Sequence, residues 1–237
     1  MQNKPTSYNA QLTTQAYAII VAGGSGSRMQ SAVPKQFLKL KGKPVLMHTI
    51  EAFQNSETKP AIILALPAGY HDYWLQLCNE HNFTIPYQLV NGGETRFHSV
   101  KNALDLINDQ EDVLVAVHDA VRPLTAKSVI DNSYDDAALY GNAVTAVKSR
   151  DSVMQIQNGV AVHLLRDEIY LVQTPQTFQL RQIKKAYEQP FDSKFTDDAS
   201  VVQHAGFIIH LVEGSYKNIK ITFPEDIAVA EGLLAIS

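Results

Sequence analysis

The sequence predicts an α/β protein: a mostly parallel, twisted sheet flanked by helices. Two observations carry this. Five short runs, at residues 16–22, 61–66, 85–90, 113–117 and 142–147, are nearly continuous in apolar character. Strands covered on both faces look like this, whereas a half-exposed strand alternates. Helical patterns separate the runs, and strand–helix–strand alternation means crossover connections between parallel strands.

Each element has its own signal. Residues 44–53 read as a helix with proline in its first turn. Val100, Ala103, Leu104 and Ile107 recur at i, i+3, i+4 and i+7, the buried face of a second helix. Between 149 and 171 the rhythm breaks. Gln157-Asn158-Gly159, flanked by 151–156 and 160–162, reads as a hairpin, because Asn-Gly favours a tight primed turn. It projects as an arm over about 148–171, with little of its own chain to pack on. Residues 218–222 read as a short strand carrying Lys220. Thr222-Phe223-Pro224-Glu225 fits a capping box that opens a last helix over 227–236. No repeat or linker marks a boundary, so residues 1–237 are expected to form one domain.

Composition excludes several classes. With 20 basic and 24 acidic side chains and no basic block, the chain is not built for nonspecific nucleic-acid binding. Cys78 is the sole cysteine, so no internal disulfide forms, which suits a reducing compartment. The apolar run at 16–22 is too short to span a bilayer, and residues 1–15 lack the apolar stretch of a secretory signal. A soluble, cytoplasmic protein with neither a membrane nor a nucleic-acid partner is expected.

In parallel sheets ligands bind beyond the carboxyl ends of the strands, so three loops matter most. The first reads Ala22-Gly23-Gly24-Ser25-Gly26-Ser27-Arg28-Met29, with Pro34-Lys35-Gln36 behind it. It fails the dinucleotide fingerprint, which needs a third glycine, and the NTPase phosphate loop, which needs Lys-Ser/Thr. It also fails the serine nucleophile elbow, having Ser27 where glycine is required. What it offers is backbone amides that can approach a ligand, with Arg28 and Lys35 to neutralise phosphate oxygens. The plainer alternative is a tight strand-to-helix turn with two solvated cations.

The second loop, Asn91-Gly92-Gly93-Glu94-Thr95-Arg96 with Ser99 beyond, suits anion or base recognition at a helix start. It would serve equally as a structural helix start. In the third, His118-Asp119-Ala120-Val121-Arg122-Pro123, Asp119 stands at a strand's carboxyl end. There it could hold Mg²⁺ against a triphosphate, or simply pair with Arg122. His118 reads as a packed histidine without a role. Alone, Lys220 would be edge-strand protection.

Taken in order, these segments, with Gln173-Thr174-Pro175-Gln176, Thr196-Asp197-Asp198-Ala199 and Asn218-Ile219-Lys220-Ile221-Thr222, cover residues 17–235. The set resembles the 2-C-methyl-D-erythritol 4-phosphate cytidylyltransferase family of the non-mevalonate isoprenoid pathway. The resemblance implies a Rossmann-like nucleotidyltransferase fold, Mg²⁺ dependence, and a homodimer joined by the hairpin arm. It implies CTP and a small polyol phosphate as substrates. Arg28 and Lys35 match the cations that stabilise the transition state on the α-phosphate. Ala22, Gly23 and Gly24 match the triphosphate loop, and Gly93, Glu94, Arg96 and Ser99 the cytidine-reading loop. Asp119 matches the metal and ligand carboxylate. Arg122, Ser152, Arg166, Thr174 and Lys220 match acceptor positions, with Ser152, Arg166 and Thr174 donated by the partner's arm. Arg166 and Lys220 would position the attacking phosphate. Ribitol-5-phosphate cytidylyltransferases share the Gly-Gly loop and the Arg166-Asp167 order, so ribitol 5-phosphate is the alternative acceptor.

Overall fold

The computed structural model describes residues 15–23, 33–108 and 112–235. The chain begins with β1 (Ala16–Val21), a ribbon of β2 (Lys39–Leu40) and β3 (Lys43–Pro44), and α1 (Val45–Gln54). Then come β4 (Ala61–Leu66), α2 (His71–Glu80), β5 (Gln88–Asn91), α3 (Arg96–Leu104), β6 (Leu114–Asp119) and α4 (Lys127–Tyr140). Next are β7 (Asn142–Lys148), β8 (Val153–Gln157), β9 (Val160–Leu164), β10 (Tyr170–Gln179) and α5 (Leu180–Tyr187). The chain closes with α6 (Asp198–His204), β11 (Leu211–Glu213) and α7 (Glu225–Ala235).

Seven strands form the central sheet in the order β11-β7-β10-β6-β1-β4-β5. Strands β6, β1, β4 and β5 are parallel, with Ile19 opposite both Ile63 and Val117. β11 runs parallel to β7, while β10 lies antiparallel between β6 and β7. As the continuous apolar runs require, the sheet is covered on both faces. Ala18 and Ile20 face one core with Phe53 of α1, Trp74 of α2 and Tyr134 of α4. Ile19 and Val21 face the other, with Val100 of α3, Ile183 of α5 and Val202 of α6. Each fully buried aliphatic side chain of these cores contributes about 1.5–3 kcal/mol.

Several boundaries differ from the sequence expectation. β5 begins at Gln88, not 85, because Pro86 has no N–H for the ladder. α3 ends at Leu104, and Ile107 is buried from the turn that follows. Residues 218–222 form no strand. Ile221 N donates to Val121 O (2.9 Å), local turn bonds run from Asn218 N to Ser215 O and Ile219 N to Lys217 O, and side chains add the remaining ties. The capping box at Thr222 is also corrected. Asp226, one residue past Glu225, accepts from Thr222 N (2.7 Å) and Phe223 N (2.8 Å), while Thr222 Oγ1 donates to Lys220 O.

The hairpin is present as β8–β9. Gln157 pairs with Val160 across Asn158 and Gly159, whose φ values of 51° and 82° are those of a primed two-residue turn. Its Met154, Ile156 and Val160 stay exposed.

Candidate active site

The loops after β1, β5 and β6 meet at the carboxyl edge of the sheet. With Lys35, Gln36 and Lys220 they line a cleft of about 200 Å³. Ala22 directly follows β1, its N–H donating to Ala65 O (2.8 Å) and its carbonyl accepting from Gln36 Nε2 (2.9 Å). That bond seats the short turn Lys35–Phe37, in which Lys35 is buried and its Nζ donates to Ile221 O (3.1 Å). Phe37 anchors the turn from below, edge-on to Tyr73 and stacked on Trp74. Gly23 and Lys35 thus sit where the sequence places them, whereas Gly24 and Arg28 lie outside the described residues.

In the second loop, Gly93, Glu94 and Arg96 line the cleft. Ser99 does not open the helix. It sits inside α3, buried, where its hydroxyl donates to Thr95 O (2.9 Å) and accepts from Gly93 N (3.0 Å). Its role here is to hold the loop. At Gly93 a Cβ would collide with the Cβ of His98 and lie 2.8 Å from its carbonyl carbon. Gly93→Ala should therefore push the loop off α3. We expect a loss of about 1–3 kcal/mol in stability, read by urea denaturation, and weaker nucleotide binding.

Asp119 is the electrostatic centre. Lys220 Nζ (3.0 Å) and Arg122 Nε (3.3 Å) both reach its Oδ2, and Arg96 Nε stands 3.6 Å from Oδ1. Burial alone would raise the Asp119 carboxyl. The charges of Arg96, Lys220 and Arg122 outweigh it and hold the group well below the ordinary carboxylate range, so Asp119 is ionised. The pairing with Arg122 is therefore present, and the carboxylate is charged, as a cation ligand would have to be. Neighbouring His118 matches its expected packed role. Burial pushes its imidazole down to about 3, and it lies edge-on to Phe53 with Thr125 Oγ1 3.3 Å from Nε2.

A second cleft, of about 180 Å³, shares Arg96, Asp119 and Lys220 with the first and adds Arg122, Thr174 and Gln176. Thr174 was expected from a partner's arm, and this is corrected. A bulge in β10 turns it inward, where its Oγ1 accepts from the backbone N–H of its own chain's Asp119 (3.1 Å). Ser152 and Arg166 line neither cleft, and Arg166 is exposed beside Asp167.

Two residues had no sequence-level role. Asn218 is fully buried. It donates to Thr174 O (2.8 Å), accepts from Thr125, and its carbonyl accepts from Arg122 Nη1 (2.8 Å). It pins the Lys220 segment to β6 and β10. Asp198, at the start of α6, pairs with Arg96 Nη2 (2.6 Å). Its motif, Thr196 to Ala199, was visible, but nothing in it distinguishes a ligand from a helix cap.

A glycine-lined cleft at the carboxyl edge of a mostly parallel sheet, joined to a second cleft through a carboxylate ringed by cations, is the architecture of a nucleotidyltransferase. Residues 16–235 match the family model described as 2-C-methyl-D-erythritol 4-phosphate cytidylyltransferase. Proteins of that name from Bacteroides thetaiotaomicron and Bacteroides fragilis are 47% and 46% identical, covering 91% and 92% of this chain and 98% of each relative. The crystal structure of a 2-C-methyl-D-erythritol 4-phosphate cytidylyltransferase from Francisella tularensis superposes with a TM-score of 0.76 at 33% identity, covering 93% of this chain and 100% of that one. The chain belongs to the 2-C-methyl-D-erythritol 4-phosphate cytidylyltransferase family.

Proposed function

We propose that this enzyme transfers the cytidylyl group of CTP to 2-C-methyl-D-erythritol 4-phosphate, giving 4-diphosphocytidyl-2-C-methyl-D-erythritol and pyrophosphate. The observation that carries the proposal is the junction of two clefts at Asp119, beside Lys35 in one and Arg122 in the other. The names of the close relatives supply the substrates.

In the reaction an acceptor phosphate oxygen bonds to the α-phosphorus of CTP as the bond to the β-phosphate breaks. Two anions must be brought together while charge builds on phosphorus, so positioning and fixed cations are the main levers. Lys35, with Arg28 by resemblance, would face the α-phosphate. Lys220, with Arg122 beside it and Arg166 from a partner, would orient the acceptor. Ala22, Gly23 and Gly24 would cradle the triphosphate, and Gly93 and Glu94 would read the cytidine.

The donor set fits Mg²⁺ in one mode. Among the described residues no cluster of three or more His, Cys, Asp or Glu could hold a metal by protein ligands alone. An ionised Asp119 sharing the ion with triphosphate oxygens is the usual Mg²⁺ arrangement, and the ion would neutralise phosphate charge there. The working assembly is a homodimer of one-domain subunits over residues 1–237, each lending Ser152 and Arg166 to the other's cleft. The exposed apolar side chains of an isolated two-stranded hairpin support this, since such hairpins are marginal in water alone. A cytoplasmic location is supported by the lone Cys78. Among the described residues no helix is long and apolar enough to cross a membrane.

The test is pyrophosphate release from CTP and Mg²⁺ with methylerythritol phosphate and ribitol 5-phosphate assayed side by side. Release with the first is expected. Release with ribitol 5-phosphate alone, or with neither, would overturn the assignment.

A further inference from the structure

Among the described residues Asp198 is the most deeply buried charged side chain, with no exposed surface. The Tyr187 hydroxyl donates to its Oδ1 (2.6 Å), and Arg96 Nη2 donates to its Oδ2 (2.6 Å). Burying such a pair gains little stability, because desolvating both charges offsets their attraction. What the pair does supply is a fixed orientation for the Arg96 guanidinium, whose fork is planar and directional.

That orientation matters at Asp119. Lys220 and Arg122 both engage Oδ2, whereas Arg96 Nε stops 3.6 Å short of Oδ1, beyond hydrogen-bond length. Among the described residues, no donor makes a hydrogen bond to Oδ1, while Oδ2 holds the closest approaches of both Lys220 and Arg122. If Asp198 lost its charge, the nearest carboxylate for Arg96 would be Asp119, and the guanidinium would close on that open oxygen.

We propose that Asp198 is a positioning residue: by anchoring Arg96 it keeps the guanidinium off Asp119 Oδ1, so that this oxygen stays available to the nucleotide and its counter-ion. Tyr187, which orients the Asp198 carboxylate, assists. The inference rests on the reading of this cleft as the nucleotide site.

The test is calorimetric binding of CTP with Mg²⁺, without acceptor, to the full chain and to the Asp198→Asn, Arg96→Gln and doubly substituted variants. Asparagine keeps the shape and can still accept from Tyr187. Asp198→Asn should weaken CTP binding about 10- to 100-fold, as loss of a residue that orients a ligand-bearing group commonly does. In the Arg96→Gln background the same change should cost nothing further, because its effect runs through Arg96. In turnover, the KM for CTP should rise by a similar factor while the KM for the acceptor phosphate stays near that of the parent. Unchanged CTP affinity in Asp198→Asn, or fully additive losses in the double variant, would overturn the proposal. If Asp198→Asn fails to fold, Tyr187→Phe decides, with weakened CTP binding expected and parental binding refuting. Failure of the unsubstituted chain to bind CTP would instead remove the functional reading itself.

Discussion

Lys35→Ala is expected to lower turnover on the order of 10³-fold, the scale of a single transition-state cation in phosphoryl transfer. Lys35 is buried at the wall of the cleft, and its short turn is held by bonds that the substitution leaves alone. Those are the Gln36 amide to Ala22 O and the packing of Phe37 on Tyr73 and Trp74. The variant should therefore fold like its parent, with an unchanged circular dichroism spectrum, while pyrophosphate release collapses. A difference of that size corresponds to about 4 kcal/mol of transition-state stabilisation. Near-normal activity in a folded variant would remove Lys35 from the chemistry.

The second large effect concerns the shared site. Arg166→Ala and Lys220→Ala should each be nearly inactive alone. After subunit exchange, an equal mixture should regain about a quarter of the parental activity, because half the two-fold dimers are mixed and each has one intact site. The geometry motivates this. Lys220 is ion-paired to Asp119 inside the cleft, whereas Arg166 sits exposed past the hairpin, away from both clefts of its own chain. No recovery on mixing would mean that Arg166 acts within its own subunit or not at all.

Much of the fold was legible because burial leaves a periodic trace. The runs that became β1, β4, β6 and β7 are nearly continuous in apolar character, and the Asn158-Gly159 turn carries its own backbone preference. β10 left no such trace. Its buried Gln173, Thr174, Gln176 and Thr177 are polar and satisfied largely by partners distant in sequence, so this antiparallel strand between β6 and β7 carries no apolar run to mark it. α4 went unread for a related reason. Its core face is Val129, Ile130, Ser133, Tyr134 and Ala137, in which a serine and a tyrosine blur the stripe.

The site divides the same way. Composition and local pattern by themselves determined the α/β architecture, the loops that line the cleft, and the residue types available there: glycines, lysine and arginine, and one aspartate at a strand end. These follow from short-range rules of backbone freedom and strand ends, which adjacent residues encode. Distances between segments far apart in the chain do not. That Thr174 serves its own chain's Asp119, that Asn218 pins the Lys220 segment, and that Asp198 holds Arg96 were settled only by folding. Each is a contact made by a side chain to a residue roughly 45 to 100 positions away, and its energy exists only after the sheet has brought both partners out of water together.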